Sequence, residues 1–185
     1  MNRHNITKQN LEKCTLALAV LKLKFPSEIG PVTTEDTVVP LQKNSSKLNS
    51  KNKSTFQLVG NDLDLVGFYQ DDPFVIFIAQ KFLLRPLLEL DPFVMKALTP
   101  RMLKEIPVEL VECCGLSHTL VWDDWAILEI IAHEAAHGGT RRHGLLWRKK
   151  YLKFLKTLFD LQISGRLKLD DEYFSGFKQS EDLKA

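Results

Sequence analysis

The sequence predicts an α+β fold: a small domain with an N-terminal helix, a short β-sheet, a histidine-bearing helix and a C-terminal amphipathic helix. Three observations predict it. Helical periodicity occurs near both ends of the chain, over residues 10–25 and 145–159. Two apolar runs, 63–69 and 74–79, flank the turn-forming Asp71-Asp72-Pro73. A capped helical pattern begins at Asp123 or Asp124. The 185 residues, 44% hydrophobic and 26% charged, suffice to bury a core. They fit neither a disordered chain nor a collagen-like or disulfide scaffold.

Along the chain, Leu11, Leu18, Leu21 and Phe25 fall near helical spacing, and Pro26 is expected to stop that helix. Residues 42–55 hold one apolar residue among Lys, Asn and Ser. They read as a polar linker or surface insertion between an N-terminal helical segment (1–41) and the main domain (56–169). Leu63 to Tyr69 and Phe74 to Ala79 are expected to pair as a hairpin. At a sheet edge, Phe74 to Ala79 would be open to an extended peptide, but its apolar character fits a buried central strand equally well. Residues 81–112, punctuated by Pro86, Pro92, Pro100 and Pro107, suggest short helices packed at angles, and His118 to Trp122 a third short strand. A helix then runs from Trp125 towards Gly138-Gly139, which ends it. In the next, Leu145 to Phe159, Trp147, Tyr151, Phe154, Leu155 and Leu158 share one face, and Arg148, Lys149, Lys153 and Lys156 the other. An acidic tail occupies 170–185.

The three cysteines, Cys14, Cys113 and Cys114, are poor material for a disulfide framework, and the absence of any CxxC pair excludes a thiolate zinc ribbon. No uninterrupted apolar leader precedes a cleavage site. The longest apolar stretch, 73–90, carries Lys81 and Arg85, short of the ~20 clean residues of a membrane span. The chain is therefore expected in the cytoplasm, or in the nucleus of a eukaryotic cell, without membrane contact.

The residues that carry chemistry lie in 133–143. His133 and His137 are four apart, so on a helix they share a face and can bind one metal ion. Glu134 sits beside the first, placed to act on a water without ligating. With five His in 185 residues, His-Glu-x-x-His is expected about 0.008 times in a shuffled chain. His143 follows after Gly138-Gly139, which allows the chain to reverse and return a third imidazole. Three imidazoles with an open fourth position suit catalytic Zn2+, and a carboxylate general base then takes the proton of a metal-activated water. Either histidine alone would more often be an ordinary surface or core residue. Glu129, one turn before His133, is either a partner for its ring N–H or, more commonly, a solvated helix residue. Trp147 and Tyr151 are expected in the core, and His4 and His118 are ordinary by spacing.

The spacing resembles that of metzincin proteases, but Thr140 stands where their motif has Gly, and Met1, Met95 and Met102 all lie upstream of the motif, leaving no Met-turn. It is also similar to a bacterial metal-dependent endoribonuclease family, whose residue after the first His is normally Gly; Glu134 points to peptide hydrolysis instead. The fuller resemblance is to SprT-like zinc metalloproteases, small zincins with an N-terminal helix, a small sheet, the His-Glu-x-x-His helix and a His-Gly-x-x-Trp/Phe element opening another helix. Here that element is His143-Gly144-Leu145-Leu146-Trp147. The match spans 125–159 and, loosely, 63–79; the gap between the second and third His is shorter than in many members, and no cysteine-bearing ribbon follows. The resemblance implies a zincin-like domain, His133, His137 and His143 as zinc ligands, Glu134 as catalytic base, and a protein or peptide substrate. SprT-like relatives include proteases that digest DNA-crosslinked proteins, which would place nucleic-acid-associated proteins among the substrates.

The formal net charge of +2 conceals opposing blocks: +5 over 1–53, −8 over 54–140, +8 over 141–168 and −3 over 169–185. Arg141, Arg142, Arg148, Lys149, Lys150, Lys153 and Lys156 form a basic run beside the motif. A solvated helix face is the common explanation of such a run, and nucleic-acid binding the alternative. Two further readings therefore stand beside the peptidase: a nucleic-acid-binding module with structural zinc, and a metal-dependent RNA hydrolase.

Overall fold

The computed structural model describes residues 3–30, 37–41, 66–70, 75–113, 115–140 and 142–167. The expected linker (42–55), the start of the first hairpin strand, the Asp71-Asp72-Pro73 turn and the acidic tail lie outside them. In chain order the elements are α1 (Arg3–Lys24), α2 (Pro26–Ile29), β1 (Thr37–Leu41), β2 (Gly67–Gln70), β3 (Val75–Ala79), α3 (Gln80–Leu84), β4 (Leu87–Glu89), α4 (Pro92–Ala97), α5 (Pro100–Glu105), β5 (Val108–Cys113), β6 (Leu116–Trp122), α6 (Asp124–Ala136) and α7 (Leu145–Ile163). The fold is α+β, as expected. No helix among the described residues is long and apolar enough to cross a membrane.

Where one short sheet is expected, there are two three-stranded sheets, ordered β1-β3-β2 and β4-β6-β5. In the first, β2 pairs antiparallel with β3, in line with the expected hairpin, and β1 joins β3 in parallel register, Thr37 opposite Val75. β3 is thus central, all five residues buried, and is closed to peptide pairing. β1 tolerates Pro40 because an edge strand need not donate on its outer side. Residues 81–112 hold the expected short helices, α3, α4 and α5, and also two strands of the second sheet, β4 and β5; the expected strand over 118–122 is the end of β6. Pro92 and Pro100 open α4 and α5 rather than break them: Asp91 and Thr99 cap these helices by accepting from the Phe93 and Met102 N–H groups at 2.9 and 3.3 Å. Likewise, Pro26 opens α2 after α1 has ended.

α6 is the hub. Its residues Ala126, Ile127, Leu128, Ile130, Ile131, Ala132, Ala135 and Ala136 are all buried, the pattern of a helix covered on every side. α1 lies against it through Cys14, Ala17, Leu18 and Leu21, spaced at three and four residues, while α7 covers another side with Trp147, Tyr151, Phe154, Leu155, Leu158 and Phe159. β2, β3 and β6 complete the enclosure. β6 runs into α6 through Asp123, whose φ of 55° is left-handed for a residue with a side chain. The Asp123 carboxylate makes no cap bond. Its carbonyl accepts from Ile127 N–H at 3.1 Å, its own N–H is taken by the Pro86 carbonyl at 2.9 Å, and Asp124 pairs with Lys13 of α1.

Candidate metal centre

His133 and His137 lie one turn apart near the end of α6, and His137 is the helix C-cap. Gly139 follows with φ 68°, the left-handed conformation that lets a chain turn off a helix without a Cβ clash. Thr140 secures the turn: its N–H donates to the His137 carbonyl at 2.7 Å and its hydroxyl to the Ala136 carbonyl at 2.6 Å. The chain then doubles back, and His143 comes to lie against the two helical imidazoles. The three rings offer nitrogen atoms all within 4.8 Å of one another. His143 Nε2 is 3.0 Å from His137 Nε2. Zinc–nitrogen bonds of about 2.0–2.1 Å in tetrahedral array would set ligand atoms about 3.3 Å apart, so the spacing suits one ion held by all three.

The protonation pattern also suits a cation. His137 Nδ1 is 3.1 Å from the Thr140 carbonyl, which can only accept, so Nδ1 carries the proton and Nε2 presents a lone pair to the cluster. Burial, with the neighbouring His137 and His143, pushes His133 down to about 3, so its ring is neutral. Aromatic side chains wall the cluster. Tyr69 of β2 stacks on His137 with ring planes 1° apart, and Trp147 of α7 packs 4.3 Å from the centroid of His143 and 4.8 Å from that of His133. The Trp147 Nε1 donor is buried without a partner among the described residues.

Glu134 is only 4% exposed, and burial, then the charge of Glu129, pushes it up to about 8. It points towards β2: a Cβ built on Gly67 would stand 3.6 Å from its Oε1 and 2.9 Å from the Phe77 carbonyl. Gly67 therefore lets strand and carboxylate approach closely. Glu129, expected either to meet His133 or to be solvated, does neither. It is 9% exposed, accepts a hydrogen bond from the Tyr151 hydroxyl, and is pushed up to about 7, chiefly by burial. The same pair and its burial raise Tyr151 far above the usual phenol range.

The structure thus brings together His133, His137 and His143, holds Glu134 buried on the same helix against β2, and adds Gly67, Tyr69 and Thr140, which sequence reasoning missed. Of these, Gly67 carries a readable signal, a glycine inside a strand pattern; Tyr69 and Thr140 act through contacts without a motif. Trp147 and Tyr151 are buried as expected, and also touch the histidine cluster. His118, ordinary by spacing, lies away from the cluster on β6 and pairs with Glu89 of β4. The basic run divides. Lys150 donates to the Glu28 and Gly138 carbonyls at 3.1 and 2.8 Å, and Lys153 pairs with Glu28 and sits over the Phe25 ring. Arg142, Arg148 and Lys149 face solvent, Lys156 is half-buried, and Arg141 lies outside the described residues.

No protein-family model matches this chain, nor does any curated protein or solved structure.

Proposed function

We propose that the chain is a zinc-dependent metallopeptidase with a small zincin-type domain, as its resemblance to SprT-like enzymes implies, with His133, His137 and His143 holding Zn2+ and Glu134 as general base. One observation carries the reading: imidazoles from two turns of α6 and from the following loop converge within reach of a single ion, with Glu134 buried on the same helix. Zinc in such a site supplies a Lewis acid that polarises the scissile carbonyl and acidifies the attacking water. Glu134 takes that water's proton and returns it to the departing amine nitrogen. A cation held by the three histidines would favour the carboxylate form of Glu134 and oppose the rise that burial imposes. Thr140 orients His137, and Tyr69 and Trp147 hold the rings and exclude water.

β2 supports a polypeptide substrate. It is the outer strand of its sheet among the described residues and runs past Glu134 and His137, where an extended chain can lie. A helix-long nucleic-acid stripe is less well supported, since Lys150 and Lys153 are engaged within the fold. Metal analysis and hydrolysis of an unfolded protein such as casein test the reading. Wild type should carry stoichiometric zinc and His143→Ala should lose it. Glu134→Gln should keep zinc while hydrolysis falls at least about a hundredfold. Undiminished hydrolysis by Glu134→Gln, or tight zinc in His143→Ala, would overturn it.

A further inference from the structure

Directly after His143 the chain exposes two large apolar side chains. Leu145 is 72% exposed and Leu146 59%, while Trp147, next in line, is buried against the imidazoles. Helix formation does not ask for leucine at these positions, and solvent exposure yields none of the stabilisation that burial would bring. An adjacent exposed apolar pair directly after a candidate metal ligand is available for contact with another molecule.

Its surroundings are cationic. Lys149 stands one turn beyond Leu145 on the same outward face of α7, and Arg148 is three residues from it. Arg142 precedes the helix, and the first turn contains no acidic residue. Arg148 lies 5.2 Å from the Phe93 ring centroid, a contact that orients the guanidinium without neutralising it. None of Arg142, Arg148 and Lys149 forms an ion pair with a described residue, whereas Lys153, further along the helix, does. Cations without an ion-pair partner among the described residues therefore gather around the leucines, next to His143.

We infer that Leu145 and Leu146, with Arg142, Arg148 and Lys149, form a substrate-docking rim that selects an extended polypeptide bearing an apolar side chain close to Asp or Glu. The leucines take the apolar side chain, and the cations take the carboxylates. Polyphosphate backbones would use the same cations but gain nothing from the two leucines, so the apolar pair favours a polypeptide. This inference rests on the peptidase reading and adds a substrate class to it.

Digestion of a proteome-derived peptide library by the zinc-loaded full chain, with cleavage sites read by mass spectrometry, tests it. Wild type should cut where a large apolar residue and an acidic residue lie within a few positions of the scissile bond. Leu145→Ser/Leu146→Ser should cut those peptides about tenfold more slowly and lose the apolar preference. Arg142→Glu/Lys149→Glu should exchange the acidic preference for a basic one. All four side chains are exposed, and zinc content and circular dichroism identify any variant that fails to fold; single Leu145→Ser and Lys149→Glu variants then provide the same readout. Cleavage by wild type without this preference, or variants that keep it, overturns the rim while leaving the peptidase standing. Retained preference in Arg142→Glu/Lys149→Glu together with lost salt-dependent binding of single-stranded DNA would assign the cations to nucleic acid and also overturn it. Absence of any cleavage by zinc-loaded wild type overturns both readings.

Discussion

At the scale of single residues, the least expected feature is the buried Glu129–Tyr151 pair one turn from the first histidine. A carboxyl in that position is tolerable only because the phenol donates to it. Tyr151→Phe removes the donor and leaves the acceptor buried, so urea denaturation of the chelated protein should show a loss of about 1–3 kcal/mol. Replacing both partners, as Glu129→Leu/Tyr151→Phe, should recover most of that loss, since two apolar groups leave nothing unsatisfied. A double variant no more stable than Tyr151→Phe alone would show that Glu129 has another role. The sequence offers little warning of the pair. Its members are 22 residues apart, and a glutamate on a helix is nearly always a surface residue. His133, Glu134 and His137 were legible for the opposite reason: their relation is local, written in one helical turn, and His143 follows across a short Gly-Gly reversal.

At the scale of elements, α6 and α7 were readable because each has local punctuation, a glycine stop or a periodic apolar face. β1 was not, because its partner β3 lies nearly forty residues away in parallel register, and parallel pairing has no local signature. β4, only three residues long, and β5, whose Val108, Glu109 and Leu110 are all exposed, lack a one-sided alternation to read. The prolines between them could be taken as breaks, although two are helix starts. β2 can be tested directly. Gly67→Ala adds a Cβ 2.9 Å from the Phe77 carbonyl and 3.2 Å from Ile78 Cδ1, so either the strand or the core must move. A cost of about 1–3 kcal/mol in denaturation is expected, with hydrolysis falling further than zinc content because Glu134 lies just beyond. Equal stability and activity would mean that β2 does not press on the carboxylate.

For the whole molecule, three shifted groups near the site, two of them buried carboxyls, contribute to the pH dependence of stability. Glu129 and Glu134 titrate at about 7 and about 8 in the fold against an ordinary value of 4.5, so the native chain keeps two protons that the unfolded chain releases. Stability from this source is full below pH 4.5 and is lost as pH rises through 7 and 8. His133, lowered to about 3 from 6.5, acts in the opposite sense: its contribution is complete above pH 6.5 and is lost towards pH 3. The two trends oppose each other below 6.5, leaving the carboxyls alone above it. The thermal midpoint of the chelated protein should therefore fall between pH 6.5 and 8. Glu134→Gln should remove the later part of the fall, and zinc, which favours the ionised carboxylate, should flatten it. A midpoint that rises over that window in the chelated protein would contradict the buried-carboxyl account.

Lys150 ties the loop after α6 to α2 through two carbonyl oxygens, those of Glu28 and Gly138. Every residue presents a carbonyl, so this latch does not depend on which side chains occupy positions 28 and 138. The two bonds themselves therefore survive a side-chain change at position 28, although the Glu28 carboxylate has a separate partner in Lys153. One ammonium group thus joins two segments 110 positions apart in the sequence, and a substitution at position 150 removes both bonds at once.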